Sequence, residues 1–280
     1  MKKYELIPQQ LLYEGTMEEE NFFKPQLISE EDILVVHCPV YWRKLYNLEL
    51  DRREQIRSGF PHSKLLIERE RRIASGTLEA AQYALKYGIG FNVSGGTHHA
   101  YSNRAEGFCL LNDIAIAASH LLRHGLIKKA LIIDLDVHQG NGTAEIFKNN
   151  DKVFTFSMHG ANNYPLRKET SDLDVPLKDQ TTGSEYLEIL QEHLPKVISD
   201  VQADLIFYLA GVDILETDQL GRMAVSMEDC KKRDKMVLQA AYNSETPLMC
   251  CMGGGYSKEL KHIVEAHCNT YRLAKEIWEN

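Results

Sequence analysis

The 280-residue sequence lacks the features that mark membrane-spanning, secreted and nucleic-acid-coating proteins. No apolar run approaches the roughly 20 residues that a membrane-spanning helix requires, and no signal-type apolar core follows the first residues. The formal net charge is −8, whereas a surface that coats nucleic acid needs clustered lysine and arginine. We therefore expect a cytoplasmic protein with no membrane span and no direct nucleic-acid partner.

The cysteines also lack any pattern that would mark a disulfide framework or a structural zinc site. Six are scattered along the chain with no Cys-x-x-Cys pair, so the simplest interpretation is six reduced thiols in the interior. Cys250 and Cys251 are adjacent in an apolar run, and we expect them to face opposite sides of one strand. With no linker, repeat or low-complexity segment, the sequence predicts one domain.

Short apolar runs separated by helical periodicity predict an α/β fold. The stretches 113–123 and 184–198 between these runs carry apolar residues at helical spacing. This alternation predicts a single open, mostly parallel β-sheet with helices on both faces. The predicted strands cover residues 89–93, 130–135, 153–156, 205–210 and 248–252.

A polar cluster follows each predicted strand. Ligands bind outside the carboxyl ends of the strands in open parallel sheets, so these clusters should meet in one crevice. The sequence therefore predicts an active site at the C-terminal ends of the strands. The clusters are Gly-Gly-Thr-His-His at 95–99, Asp-Val-His-Gln-Gly-Asn-Gly at 136–142, Met-His-Gly at 158–160, Gly-Val-Asp at 211–213 and Gly-Gly-Gly-Tyr at 253–256.

Asp136, His138 and Asp213 are the candidate ligands of one divalent cation. Asp134, Asp136 and His138 alternate at the end of an apolar strand, so their side chains project to one side. Carboxylates in such a run are costly unless they are paired or bind a cation. One imidazole and two carboxylates leave a fourth position for water, as in a catalytic zinc site. We favour Zn²⁺, and Fe²⁺ is also compatible with these ligands.

His98, His99 and Tyr256 are the candidate catalytic residues. The tandem histidines follow glycines that let the chain turn at a strand end, and a histidine pKa of roughly 6.5 suits proton transfer. A tyrosine after glycines is more often a packed turn residue. In the crevice, however, the Tyr256 hydroxyl could hydrogen-bond a developing oxyanion.

Together these segments resemble the histone deacetylase family. The likeness runs from about Gly59 to the C-terminus, and residues 139–142 and 171–176 are similar to class IV members, including bacterial ones. The resemblance implies an arginase/deacetylase-like fold, a single deacetylase-like catalytic domain over residues 1–280, and zinc-dependent hydrolysis of acyl-lysine amides. The matching segments are 95–100, 106–109, 112–113, 134–142, 156–159, 211–213 and 252–256.

The resemblance also implies a role for each matched residue. Zinc would bind the three candidate ligands, and His99 would act as general base and then as general acid. His98, oriented by Asp134, would be its electrostatic partner, and Tyr256 would polarise the acyl carbonyl. The remaining implied sites are a structural potassium ion at Asp134 and Ser157, and a tunnel for the acyl-lysine stem at Gly107, Phe108 and Tyr164.

Two departures from the family pattern lead to further expectations. Asn141 stands where other classes place an aspartate behind the second histidine, so we expect a lower His99 pKa than in those relatives. Residues 1–4 resemble the segment that follows the family's first strand and an arginine of its acid-release channel. We expect both features to lie upstream of residue 1. Gly140 and Leu215 stand where two-metal arginase relatives would carry ligands, which implies a single catalytic metal.

Two alternative functions stay open at this stage. An acetylpolyamine or other small acyl-amide amidohydrolase would use the same site with a different entrance. A catalytically silent acyl-lysine binding module is the alternative from another class, and the complete set of ligands and histidines argues against it. The expected partner is an acylated lysine peptide or protein, or a small acyl-amine. Class IV resemblance implies that long fatty acyl groups are candidate substrates, while the oligomeric state stays open.

Overall fold

One parallel sheet organises the chain, and the computed structural model describes residues 2–279 of it. Every neighbouring pair of strands is parallel, and the spatial order is β1-β6-β5-β2-β3-β4 when the strands are numbered along the chain. The strands are β1 (Ile89–Asn92), β2 (Ala130–Asp134), β3 (Val153–Gly160), β4 (Leu173–Leu177), β5 (Leu205–Leu209) and β6 (Leu248–Cys251).

Helices connect the strands and cover both faces of the sheet, as the alternating pattern predicts. Thr182 begins the longest helix between two strands with a capping box: its side chain accepts from the backbone of Glu185, whose carboxylate accepts from Thr182. Within residues 2–279 the α-helices are α1 (Lys3–Tyr13), α2 (Glu30–Leu34), α3 (Pro39–Tyr46), α4 (Arg52–Ser58), α5 (Lys64–Tyr87), α6 (Asp113–Arg123), α7 (Asn141–Phe147), α8 (Gly183–Val201), α9 (Met227–Asn243) and α10 (Leu260–Trp278).

Two apolar cores lie on opposite faces of the sheet. One is built with α1, α8, α9 and α10, and the other with α2, α3, α5 and α6. Cys250 belongs to the first core and Cys251 to the second, which confirms that they alternate across β6. All six cysteines are free, as the sequence predicts.

The structure confirms the predicted fold class, and the five predicted strands match β1, β2, β3, β5 and β6 to within a few residues. The sequence analysis did not predict β4, which pairs only with β3 at the edge of the sheet. Its sequence, Leu-Asp-Val-Pro-Leu, contains a proline, and proline is tolerated in edge strands because one side needs no ladder hydrogen bonds. Among the described residues, no helix combines the length and apolar character needed to cross a membrane.

Candidate active site

The three candidate metal ligands meet at the carboxyl edge of the sheet. Asp136 and His138 follow β2, and Asp213 follows its neighbour β5. One ligand atom from each lies within 4.8 Å of the others, and all three residues are buried. His138 Nδ1 is 3.2 Å from both Asp136 Oδ1 and Asp213 Oδ2. The structure therefore brings together the side chains that the sequence groups.

Backbone groups orient these carboxylates. The Val137 N–H donates to Asp213 Oδ1 at 2.9 Å, and the Gly254 N–H donates to Asp136 Oδ2 at 2.8 Å. A side chain at Gly254 would collide with carboxylate oxygens of both aspartates, so the glycine lets the backbone approach the cluster closely. The loop after β6 thus completes the site.

The charges of the cluster fit a divalent cation. Burial and the adjacent charge of Asp136 raise the pKa of Asp213 to about 7. Burial alone would lower the pKa of His138, but hydrogen bonds to Asp136 and Asp213 raise it to about 10. The two buried carboxylates therefore need a positive partner, and two oxygens with one imidazole nitrogen form a donor set that suits zinc. A bound divalent ion would itself be the positive partner of the carboxylates. His138 would then be neutral, as a metal-ligating histidine is.

The tandem histidines lie side by side but have different partners. Their ring centroids are 4.2 Å apart, and both residues are buried. His98 Nδ1 lies 2.7 Å from Asp134 Oδ2. Burial opposes protonation of His98, yet the charge of Asp134 raises its pKa to about 9. His98 is therefore suited to carry a positive charge at neutral pH.

His99 has a neutral partner. Its Nδ1 donates to Asn141 Oδ1 at 2.6 Å, which leaves Nε2 as the acceptor nitrogen. Burial, reinforced by the nearby charge of His98, holds the His99 pKa well below its usual range. The hydrogen bond to Asn141 acts in the opposite direction and raises the pKa, and the comparison with aspartate-backed relatives stays a prediction. A neutral imidazole of this kind can accept a proton.

A carboxylate that sequence reasoning did not single out lies behind this amide. The Asn141 side-chain N–H₂ group donates to Glu106 Oε1 at 3.1 Å and to the Tyr101 hydroxyl at 3.0 Å. The Tyr164 hydroxyl donates to the same Glu106 oxygen at 2.6 Å. Glu106 therefore fixes which end of the Asn141 amide faces His99. The sequence did contain a signal for Glu106, because this residue begins segment 106–109, which matches the family.

One pocket of about 820 Å³ joins these residues to the surface. The predicted tunnel residues line it, and the Tyr164 ring meets the His99 ring edge-on with centroids 5.0 Å apart. Gly107 lies against the His99 ring, where a side chain would collide with it. Phe108 has a φ of +65° and stays half exposed at the pocket. The structure thus groups Gly107, Phe108 and Tyr164 around His99.

Tyr256 also lines the pocket, together with His98, His99 and two of the candidate ligands, Asp136 and His138. Its backbone N–H donates to Asp218 Oδ2 at 2.6 Å, which anchors the loop after β6. Burial, with the charges of Asp136 and Asp213, raises the pKa of the Tyr256 hydroxyl above its usual value. The hydroxyl therefore stays protonated and can donate a hydrogen bond.

Lys3 is a second pocket residue that sequence reasoning missed. The sequence analysis places the family's basic channel residue upstream of residue 1, but Lys3 is buried and its Nζ donates to the Gly253 carbonyl at 2.9 Å. Burial lowers the pKa of Lys3 to about 8, although the charges of Asp213 and Asp136 act in the opposite direction. This chain thus places a basic side chain of its own in the pocket.

Ser157 is in register with Asp134 on neighbouring strands, where the sequence analysis places a potassium ion. The Ser157 hydroxyl is 2.9 Å from His159 Nδ1. Both oxygens of Asp134 have protein partners, His98 and the backbone N–H of Asp136. The potassium site therefore stays a prediction.

Comparison with known proteins places this fold and site among known enzymes. The model of the histone deacetylase domain matches residues 1–271. An uncharacterised protein of Picosynechococcus sp. is 39% identical over 99% of this chain and 93% of its own length. Histone deacetylase 2 of Arabidopsis thaliana is 30% identical over 91% of this chain and 68% of its own length.

A bacterial relative and a solved structure extend the comparison. The acetoin utilization protein AcuC of Staphylococcus xylosus is 24% identical over 91% of this chain and 72% of its own length. The crystal structure of the HDA15 HD domain has a TM-score of 0.79 and 23% identity, covering 96% of this chain and 80% of that chain. This structural likeness confirms the fold.

A parallel α/β sheet with such a site defines the class of protein as a hydrolase of the amidohydrolase kind. The chain belongs to the histone deacetylase family. The resemblance stated from the sequence is thereby confirmed. The roles of individual residues are developed below as proposals.

Proposed function

We propose that the protein is a zinc-dependent lysine deacylase of class IV type, with residues 1–280 acting as one catalytic domain. One observation carries the proposal: Asp136, His138 and Asp213 converge within 4.8 Å, and Asp136, His138 and the tandem histidines line a pocket open to the surface. Six free cysteines are compatible with a reducing compartment, which supports a cytoplasmic location.

Asp136, His138 and Asp213 would hold one zinc ion, and the same donors are compatible with Fe²⁺. When bound, the metal supplies Lewis acidity, which polarises the acyl carbonyl and makes a water molecule more acidic. The protein supplies the proton transfers and the charges around the reacting atoms. A potassium ion at Asp134 and Ser157 would be structural.

His99 would carry the proton from the attacking water to the leaving amine. Its depressed pKa keeps the ring neutral at pH 7, so Nε2 can accept the water proton as oxygen attacks the amide carbon. The resulting imidazolium then donates that proton to the lysine nitrogen as the C–N bond breaks. The second water proton leaves the new carboxyl group and is taken up by the amine, so the products at neutral pH are a carboxylate and a lysine ammonium.

Two neighbouring groups would stabilise the charge that develops in this reaction. The Tyr256 hydroxyl would donate a hydrogen bond to the carbonyl oxygen as it gains negative charge. The His98–Asp134 pair would keep a positive charge close to the reacting atoms, because the His98 pKa is raised to about 9. Both groups act as fixed dipoles or charges, and burial of His98 and Asp134 strengthens the effect of their charges.

The pocket walls support an acyl-lysine substrate. Gly107, Phe108 and Tyr164 would surround the lysine stem, while the apolar side chains of Ile73 and Ile263 also line the pocket. Apolar lining of this kind supports acyl groups longer than acetyl, up to long fatty acyl chains.

The exposed surface of the pocket supports a peptide over a polyamine. Arg57 and Arg222 line the pocket and are exposed. Arg222 is paired with Asp179 at 3.2 Å, but the positive charge of Arg57 would repel the ammonium groups of a polyamine, which disfavours the acetylpolyamine alternative. Charge repulsion does not apply to a peptide with one neutral acyl-lysine.

Lys3 would assist departure of the acid product. Its Nζ lies at the Gly253 carbonyl, and the charges of Asp213 and Asp136 act on it. A carboxylate released at the metal would meet this positive charge before it reaches solvent. Lys3 would therefore be the basic residue that draws the acid product away from the reacting atoms.

A peptide series tests the proposed function. We expect hydrolysis of lysine peptides that carry acyl groups from acetyl to myristoyl, with activity abolished by a chelator and restored by zinc. Acetyl-spermidine serves as the comparison substrate, and kcat/KM ranks the series. Product is measured as free lysine amine.

The Asp136→Ala variant is the matched negative control, because we expect it to lose both bound zinc and turnover. Faster hydrolysis of acetyl-spermidine than of every lysine peptide would favour the polyamine alternative. Binding of acyl-lysine peptides by the zinc-loaded protein without turnover would contradict the proposal and favour a silent binding module.

A further inference from the structure

A second cluster of metal-ligating side chains lies where α2 contacts α6. Asp32 of α2, His120 of α6 and His124, which caps the C-terminus of α6, each offer one ligand atom, and these atoms lie within 4.8 Å of one another. None of the three residues lines the catalytic pocket. The cluster, which we call the α2–α6 cluster, therefore has no part in the proposed deacylation.

Helix geometry places both imidazoles on the same surface. Residues four apart in an α-helix are neighbours on one face, and the ring centroids of His120 and His124 are 4.4 Å apart. This spacing is the one by which helices present paired histidines to a single metal ion. The pair thus offers one nitrogen donor from the last turn of α6 and one from the residue that caps it.

The carboxylate of Asp32 is held against these rings. Its Oδ2 accepts from the Ser29 hydroxyl at 2.5 Å, while Oδ1 lies 2.6 Å from His120 Nδ1. Ser29 is itself fixed, because it caps the N-terminus of α2. One carboxylate oxygen is therefore anchored and the other faces the histidines.

Two imidazole nitrogens and one carboxylate oxygen suit a first-row divalent transition ion. Zinc–ligand bonds of about 2.1 Å place tetrahedral donors roughly 3.4 Å apart. Asp32 Oδ1 and His120 Nδ1, which are 2.6 Å apart, must therefore separate, whereas a donor pair near the 4.8 Å limit must approach. The exposed His124 side chain can supply that movement by rotating. Water would complete the coordination, as in other sites with three protein ligands.

We propose that Asp32, His120 and His124 form a second metal site, which takes a first-row divalent transition ion such as zinc. The ion would link α2, in the N-terminal part of the chain, to α6, which packs on one face of the sheet. The exposed pair of Arg123 and Glu31 at 2.9 Å also links these two helices, and exposed pairs contribute little. A metal link would therefore dominate the polar contacts at this junction.

Zinc stoichiometry tests the second site. We compare the wild-type protein with the His120→Ala/His124→Ala double variant and with His124→Ala, whose side chain is exposed and whose loss spares the fold. His193→Ala on α8 is the matched control, since His193 belongs to neither group of potential ligands. Each protein is equilibrated with zinc, separated from free ion and assayed for metal content.

We expect one zinc ion fewer in the double variant than in the wild-type and control proteins. We also expect at least about tenfold weaker zinc binding at this site in His124→Ala. In the wild-type protein, zinc should shift the imidazole NMR signals of His120 and His124. Hydrolysis of acyl-lysine peptides should be unchanged in both variants, because the catalytic ligands are intact.

The double variant keeps the catalytic ligands. A difference of one zinc ion from the wild-type protein therefore reports on the α2–α6 cluster alone. Equal zinc content in the wild-type protein and the double variant would overturn the proposal. An unchanged zinc affinity in His124→Ala, or imidazole signals that zinc does not move, would also count against it.

Discussion

At the scale of single residues, the two adjacent histidines differ because their partners differ. His98 faces the carboxylate of Asp134, whereas His99 faces the amide of Asn141. Their pKa values move in opposite directions, to about 9 for His98 and well below the usual range for His99. Environments that separate two pKa values in this way assign the acid and base roles. His98 can therefore hold a fixed positive charge, while His99 can accept and release a proton.

An aspartate in place of Asn141 should move the pH dependence of the reaction. A carboxylate stabilises the His99 imidazolium, so the pKa of His99 rises and the general base is lost at a higher pH. We therefore expect the acidic limb of the pH profile of kcat/KM to move to higher pH in Asn141→Asp. Steady-state assays of the variant and the wild-type protein across the acidic range measure this shift.

Glu106 complicates that variant and also supplies its control. The new carboxylate would face Glu106, which accepts from the Asn141 amide at 3.1 Å in the wild-type protein. The double variant Asn141→Asp/Glu106→Gln restores a donor opposite the new carboxylate, so we expect a larger shift there than in Asn141→Asp alone. An acidic limb that stays in place in both variants would show that residue 141 does not tune His99.

Removal of the Tyr256 hydroxyl should slow the chemical step without weakening binding. Loss of one donor to a developing oxyanion typically lowers kcat by roughly 10²–10³-fold. We expect a loss of this size in Tyr256→Phe, with KM and zinc content close to the wild-type values. Steady-state kinetics with an acetyl-lysine peptide and a metal assay measure both. A KM that rises while kcat stays constant would assign Tyr256 to binding alone.

The sequence predicted the ligand cluster better than the residues around it. Asp136, His138 and Asp213 each follow an apolar strand, and parallel strands bring such ends together whatever the side-chain details. Glu106 and Lys3 reach the site from segments without that periodic signal. Their contacts with Asn141 and Gly253 depend on loop paths and on packing of α1, which local sequence does not specify.

At the scale of elements, α6 holds the loop that carries the tandem histidines. Asp113, in the first turn of α6, is buried and accepts from the backbone N–H groups of Gly96 and Thr97 at 3.0 and 2.7 Å. The Thr97 and Thr77 hydroxyls also donate to it. One carboxylate thus ties α5, α6 and the histidine loop together.

Asp113→Asn should therefore impair both stability and catalysis. The amide replaces one acceptor oxygen by a donor group, so buried N–H and O–H donors lose their partner at a cost of about 1–3 kcal/mol. We expect a matching loss in the free energy of unfolding and a lower kcat as the His98 and His99 rings lose their fixed positions. Urea unfolding and steady-state kinetics measure the two effects.

Asp172→Asn is the control for Asp113→Asn. Asp172 accepts from the backbone and hydroxyl of Thr155 near the edge strand β4, away from the histidine loop. We expect some loss of stability there with kcat unchanged. If both variants kept wild-type kcat, Asp113 would serve stability alone.

The sequence predicted those elements whose apolar residues recur at regular spacing. Residues 113–123 were predicted as helix and match α6, because the apolar spacing is regular and Asn112 caps the first turn. Residues 2–70 contain α1, the short helices α2, α3 and α4, and the start of α5. Short helices are fixed mainly by tertiary packing, so their sequences carry little periodic signal.

At the scale of the whole molecule, a buried arginine joins α9 to the carboxyl edge of the sheet. Arg233 is fully buried, and its Nη1 donates to the Gly211 and Leu135 carbonyls at 2.7 and 3.2 Å. These carbonyls immediately follow β5 and β2, next to the segments that carry the metal ligands. Asp234 balances the charge at 2.9 Å and also accepts from the Tyr208 hydroxyl. Arg233 thus links the core built with α1, α8, α9 and α10 to the candidate active site.

Arg233→Met should therefore destabilise the whole molecule. It would leave Asp234 as an uncompensated buried charge, and breaking one partner of a buried pair costs about 3–5 kcal/mol. Asp234→Asn in the same chain removes that charge while keeping an oxygen for Tyr208, so we expect the double variant to be more stable than Arg233→Met. Urea unfolding measures both free energies. A double variant no more stable than Arg233→Met would mean that the lost carbonyl contacts, and not the isolated charge, cause the damage.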